Sequence, residues 1–250
     1  MRRTANPPAA MTLTLLKFKS TALALAFVLG LLATLALPAQ AQADKKDFSQ
    51  AERLLFMTNQ LSQLRPPTTL RYSFRKSGSM EEGFEDNVSI ALGKQADGSC
   101  CTSVGEFLSG PRKLNLPEVP AAEGNPVILY FLERDVREMQ RLTKGSQHYF
   151  RKLIRMAVYQ GAAVRDASFS YRGKSVKGTE VEISPFLEDP NRSRYDKLAV
   201  KRYVFMLSDA VPGGVYGIRT QIADAAQPTS LIVEELYAEG AEPAARKTSP

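Results

Sequence analysis

The chain has 250 residues, with 33 Lys plus Arg against 26 Asp plus Glu, one His, two Cys and no Trp, for a formal net charge of +7. A single histidine excludes any site that needs two, including a histidine-based zinc cluster, and two adjacent cysteines lack the C-x-x-C spacing of a dithiol redox enzyme. The positive balance is a poor argument for nucleic acid, because much of it sits in a segment that reads as removable.

Residues 1–20, MRRTANPPAAMTLTLLKFKS, are basic and free of acids, and they lead into the apolar run Thr21 to Leu37. Pro38 ends that run. Ala41-Gln42-Ala43 supplies the small-x-small pattern of a signal peptidase site, so residues 1–43 are expected to be a cleaved signal peptide. An uncleaved membrane anchor is the competing reading, since the apolar run is near the lower limit for spanning a bilayer, but the Ala-x-Ala site argues against it. Met11 is an alternative start, as the signal does not need residues 1–10. No cysteine stands near the cleavage point to carry a lipid anchor, so the expectation is a soluble periplasmic protein. Loss of Arg2, Arg3, Lys17 and Lys19, with no acidic residue among them, lowers the net charge from +7 to +3. Residues 44–238 are long enough for one α+β domain, and residues 239–250, EGAEPAARKTSP, have nothing to bury and read as a disordered tail.

Apolar residues at helical spacing predict an amphipathic helix from Asp47 to Leu64, stopped by Arg65-Pro66-Pro67. Leu70, Tyr72 and Phe74 then alternate with polar residues, as do Val88, Ile90 and Leu92. Ala96-Asp97-Gly98 turns into a third strand, Ser99 to Leu108. Cys100 and Cys101 lie in that strand, where neighbours point to opposite faces, which favours two thiols over a bridge. The segment PRKLNLPEVPAAEGNP is too rich in proline for a regular element.

Asn125 caps, and Pro126 opens, the longest helical pattern of the chain. Its stripe is Ile128, Leu132, Val136, Met139 and Leu142, with Arg134, Glu138 and Arg141 outside it. Gly145 is read as the left-handed residue that ends this helix, and Ser146 as the cap of a second one carrying Tyr149, Phe150, Leu153, Ile154 and Ala157 inward. Strands follow at Ala167 to Arg172, Thr179 to Ile183, Leu198 to Leu207, Val215 to Ile222 and Ser230 to Tyr237. Leu198 to Leu207 is apolar on both sides and is the candidate for the middle of the sheet. Hairpin-length turns require antiparallel pairing. The fold class is α+β: a strongly curved antiparallel sheet of about eight strands, with an N-terminal helix and two central helices on its concave face.

No nucleophile elbow or phosphate-binding glycine loop is present, and no catalytic residue, metal or cofactor is assigned. Glu133, Asp135 and Glu138 resemble paired carboxylates, but Arg134, Arg137 and Arg141 stand at ion-pair spacing, so a solvated helix face is the reading. Arg137, Arg141, Arg151 and Arg155, near Tyr149 and Phe150, are candidates for an anionic head group, a membrane surface or a partner protein.

This order of elements resembles the periplasmic lipoprotein-carrier fold over Asp47 to Tyr237, by architecture and not by motif. The resemblance implies a half-barrel whose helical lid encloses a cavity for acyl chains; in this chain, motion about Gly145 is expected to open the lid. Its lining would be Leu70, Tyr72, Phe74, Val88, Ile90, Leu92, Ile128, Leu132, Val136 and Met139. The proline-rich connector and the missing lipidated cysteine depart from that family's pattern. A closed core of the same residues is the alternative. The expected function is non-catalytic binding or carriage of a lipid, lipoprotein acyl chain or other apolar ligand. An envelope protein-interaction or sensor module is the second reading, and an enzyme of unknown type the third.

Overall fold

The computed structural model describes residues 48–120 and 124–243. The expected signal peptide and the last residues of the expected tail lie outside the described residues. Ser49 opens the first helix with a reciprocal cap: its hydroxyl accepts from Glu52 N at 3.1 Å while Glu52 Oε2 accepts from Ser49 N at 2.9 Å. The helix α1 (Gln50–Glu52) passes into a π-helical turn, Arg53–Met57, and ends at Thr58, whose hydroxyl donates back to Arg53 O at 2.8 Å. The helix expected to reach Leu64 therefore stops short. Leu61 still reaches the core, but from the turn that follows.

Strands β1 (Thr68–Ser77), β2 (Phe84–Lys94) and β3 (Cys100–Phe107) form a meander, as the alternating runs predict. The connector expected to be irregular contributes two short strands, β4 (Leu114–Asn115) and β5 (Val119–Pro120), both paired with β3. Proline is tolerated there because no further strand pairs with these pieces among the described residues, and the two pieces cover an otherwise open edge. A bulge opposite Gly93 and Lys94 takes the cysteines out of regular alternation, and Cys100 and Cys101 are joined as a vicinal disulfide instead of the expected thiols.

After the helices α2 (Pro126–Thr143) and α3 (Gln147–Gln160) come β6 (Ala163–Tyr171), β7 (Lys174–Ile183), β8 (Arg202–Leu207), β9 (Val215–Ile222) and β10 (Ile232–Ala238). The order across the open, antiparallel sheet is β4-β3-β2-β1-β10-β9-β8-β7-β6. The fold is α+β. The expectation that Leu198 to Leu207 forms a mid-sheet strand is corrected in two ways. Residues Asp196–Val200 coil into a 3-10 turn, and β1 pairs with β10, so the first and last long strands take the centre.

Three expectations at the helix ends resolve differently. Asn125 caps α2 as expected, accepting from Val127 N at 3.0 Å, and its amide also donates to Gly213 O at 2.7 Å and Gln60 Oε1 at 2.5 Å. It is Lys144, not Gly145, that takes the left-handed conformation, at φ 60°. Gly145 is required for room, since a Cβ there would lie 2.8 Å from the Phe150 ring. Ser146 precedes α3 without a side-chain cap bond. Because Asn125 is buried with three partners, Asn125→Ala is expected to cost about 2 kcal/mol, which a lowered thermal midpoint would show.

The chain after β10 is held where its composition predicts nothing to hold it. Glu239 N donates to Arg71 O at 2.9 Å, Ala241 bridges to Tyr171, and Glu242 N donates to Ser170 O at 3.0 Å. The Glu242 carboxylate accepts from Gly173 N at 2.8 Å, inside the tight Arg172-Gly173 turn, and from Ser170 Oγ at 2.5 Å. Residues Glu239–Glu242 thus tie the centre of the sheet to its last strand.

Candidate functional site

Register assigns every strand side chain to one of two faces. On the face packed against α2 and α3, the in-register row Phe74–Leu236–Ile218–Phe205–Val181–Val164 is apolar across six strands. The residues proposed to line a cavity (Leu70, Tyr72, Phe74, Val88, Ile90, Leu92, Ile128, Leu132, Val136 and Met139) all lie on this side and all are buried, at 0–9% exposure, in one continuous cluster. Rings bridge the layers: Phe74 meets Phe107 edge-on at 6.1 Å, and Phe107 meets Phe131 of α2 at 6.4 Å. The Tyr72 hydroxyl is buried with no hydrogen-bond partner among the described residues, and burial pushes its pKa well up.

One row further along, the same face is polar. Lys76, Glu234, Thr220 and Tyr203 stand in register on β1, β10, β9 and β8, and α2 lowers Arg134, Asp135 and Glu138 onto them. Arg134 Nη1 donates to Glu234 Oε1 at 2.6 Å while its guanidinium lies 4.8 Å over the Phe74 ring. Lys201 Nζ, immediately before β8, donates to Asp135 Oδ1 and lies 3.6 Å from Glu234 Oε2. The Tyr203 hydroxyl completes Asp135 at 2.6 Å. Towards solvent, Lys76 Nζ reaches Glu138 at 2.8 Å and Glu81 at 2.5 Å, and Arg141 bonds the same two acids.

Four cations and four carboxylates are therefore shared between α2 and the sheet. The reading of the α2 acids as a solvated face holds for Glu133, which pairs with Arg137 at 3.1 Å and with Arg151 at 2.8 Å. It fails for Arg134 and Asp135, which are buried. Burial alone would push the Glu234 carboxyl up, but the Arg134, Lys201 and Lys76 charges outweigh it and hold it down at about 2. Asp135 moves the other way: burial raises it, and Lys201 only partly offsets that with Glu234 alongside. Lys201 keeps its proton because the two acids overcome its burial.

The opposite face of the sheet carries a trough of about 1050 Å³. Its floor includes the in-register row Glu85–Arg75–Glu235–Arg219–Val204–Glu182 and, beside it, Asn87–Ser73–Tyr237–Gly217–Met206–Glu180–Arg165. A bulge between Met206 and Leu207 adds Tyr216 to this side, where it stacks on Phe169 at 4.5 Å and meets Tyr237 edge-on at 6.0 Å. Gly217 and Gly178 make space for the rings of Tyr237 and Phe169, which a Cβ would meet at 2.6 and 2.3 Å. Glu242 and Pro243 belong to the lining.

One part of the trough is thus an aromatic cluster, with Tyr216, Phe169 and Met206 only 2%, 9% and 8% exposed and Tyr237 half-buried, and the rest is charged. The charged pairs are mostly loose: Arg75–Glu85 at 3.7 Å, Arg219–Glu235 at 3.4 Å and Arg202–Glu182 at 3.3 Å, against 2.7 Å for Arg165–Glu182. Arg219 Nε is buried with no hydrogen-bond partner among the described residues. A second recess, about 570 Å³, lies between α3 and the loop after β7, lined by Leu153, Met156, Ala157, Ile183, Leu187 and Pro190 among others.

No family model and no curated protein matches the sequence. Among solved structures, the crystal structure of the Mycobacterium tuberculosis lipoprotein LppX is similar at 8% identity and a TM-score of 0.30, over 75% of this chain and 93% of that one. The resemblance is weak and architectural, and it assigns this chain no ligand. No helix among the described residues is long and apolar enough to cross a membrane.

Of the basic residues singled out in the sequence, Arg137 and Arg151 converge on Glu133, and Arg141 on Glu138 and Glu81. Arg155 stands exposed on α3, as does His148. No sequence signal marks the trough. Its residues occupy the alternate positions of strands whose other positions form the core, and only register brings them together.

Proposed function

We propose that the chain is an exported, non-catalytic binding protein whose ligand is an amphiphile, an apolar body with a charged or polar head, held in the trough on the face opposite α2 and α3. The observation that carries this reading is the composition of the trough. A cluster of Phe169, Tyr216, Tyr237 and Met206 adjoins a floor of arginines and carboxylates, so apolar and charged groups line one recess. Its volume, about 1050 Å³, is that of a small-molecule site. The basic start, apolar run and Ala41-Gln42-Ala43 support export to the periplasm.

In this reading the sheet–helix interface, with its ten buried candidate residues and its row of shared charges, is the base that fixes the sheet's curvature. An acyl chain placed there would have to displace Arg134, Asp135, Lys201 and Glu234, leaving buried charges without partners. The test uses the mature chain, extracted with organic solvent and analysed by mass spectrometry, and then titrated with a fluorescent fatty acid. Met206→Glu combined with Tyr237→Ser is expected to weaken the probe by about 5- to 150-fold, since about 1–3 kcal/mol of apolar contact is lost. Unchanged affinity in that variant, with loss in Val136→Ala or Met139→Ala, would move the site to the helix side.

A further inference from the structure

Helix α3 turns Phe150, Ile154 and Val158 to the core and leaves Lys152, Arg155, Met156 and Tyr159 outside, at spacings that set them side by side. Met156 and Tyr159 are 41% and 49% exposed, two large, mostly apolar groups left side by side at the surface. The loop after β7 brings Leu187, 37% exposed, to the same recess as Met156. Tyr149 fastens the loop to the helix, donating to Asp189 Oδ1 at 2.7 Å and accepting from Asn191 Nδ2 at 2.8 Å. That anchor brings in Arg192, whose Nη1 donates to Leu187 O at 3.0 Å, and Arg194. Lys197 follows in the same segment, and all three side chains are exposed.

The acids of this region do not neutralise it. Asp189 is buried beneath Tyr149 and Tyr195, and Glu188 and Asp196 alone stand exposed in the loop, against Lys152, Arg155, Arg192, Arg194 and Lys197. None of those five has an ion pair among the described residues, whereas Arg137, Arg141 and Arg151 on the neighbouring helix face are all paired. Protruding apolar side chains within a rim of unpaired cations match an anionic lipid surface, where the apolar groups enter the headgroup layer and each cation near the surface contributes about 1 kcal/mol.

We propose that α3 and the loop spanning residues 184–200 form a peripheral docking face for an anionic membrane surface. This face adjoins the trough at Glu182, which lines both recesses, and the inference stands whether or not the trough binds an amphiphile. The test is sedimentation of the mature chain with vesicles of phosphatidylcholine alone and of phosphatidylcholine and phosphatidylglycerol in equal parts. Binding is expected to the mixed vesicles only, and to fall as salt is raised. Lys152→Glu with Arg155→Glu is expected to weaken it at least about tenfold, from the loss and reversal of two surface charges. The same net change placed elsewhere on the molecule, Lys94→Glu at the end of β2 with Lys113→Glu just before β4, is expected to leave it within about twofold. Met156→Ser with Tyr159→Ser is expected to weaken binding while keeping its salt dependence. Equal binding to both vesicle types, no binding at low salt, or equal loss in the two charge-reversed variants would overturn the proposal.

Discussion

Lys201→Met is expected to destabilise the protein by about 3–5 kcal/mol, read as a lower denaturation midpoint in urea. Lys201 is 1% exposed and stands between two carboxylates that are both 0% exposed, Asp135 and Glu234. Among the described residues, removing the ammonium leaves Asp135 with the Tyr203 hydroxyl alone, while Glu234 keeps Arg134 and Thr220. The loss should therefore fall mainly on Asp135, and adding Asp135→Leu should recover most of it, because a buried pair replaced whole by apolar groups is often close to neutral. A single-variant loss below about 1 kcal/mol would mean that water reaches the row and that the helix–sheet interface is not sealed. That outcome would also reopen the helix side as a place for a ligand.

The extent to which the chain discloses its fold follows from which signals are local. Leu70, Tyr72 and Phe74 alternate because one face of β1 is buried, and that period needs no knowledge of its neighbours. Asn125 and Pro126 mark the start of α2 for the same reason. Arg134 and Asp135 do not show themselves, because their burial depends on Glu234 and Lys201, residues 100 and 66 positions away. On a helical wheel they look like any ion-paired surface. The middle of the sheet was misread in the same way: β8 is apolar on both sides because Val204 and Met206 line the trough, not because β8 is central. The trough could not be found from periodicity, since Arg75, Arg219 and Glu235 occupy positions that period-two patterning assigns to solvent. Glu239–Glu242 were read as a tail because composition measures what a segment can bury, and these residues are held by backbone hydrogen bonds and one carboxylate.

Glu234→Gln should lower stability at neutral pH by about 3 kcal/mol and should cost progressively less as the pH falls from about 4.5 towards 2. The Glu234 pKa is depressed from 4.5 to about 2, so its contribution is fully present above 4.5 and lost as pH falls through the folded value. Asp135 has the opposite sign. Its raised pKa means that its contribution is fully present below the ordinary value of 3.8 and is lost as pH rises through the folded one. Exposed carboxylates also shape the acid limb of any stability profile, so the informative quantity is the difference between native protein and variant in urea unfolding across a pH series. That difference should be flat above about pH 5 and shrink below it. A difference that stays constant down to pH 2 would show Glu234 to be solvated in the folded state. The in-register row joining β1, β10, β9 and β8 to α2 would then be a set of screened surface contacts instead of the sealed junction that makes the helix side of the sheet a base.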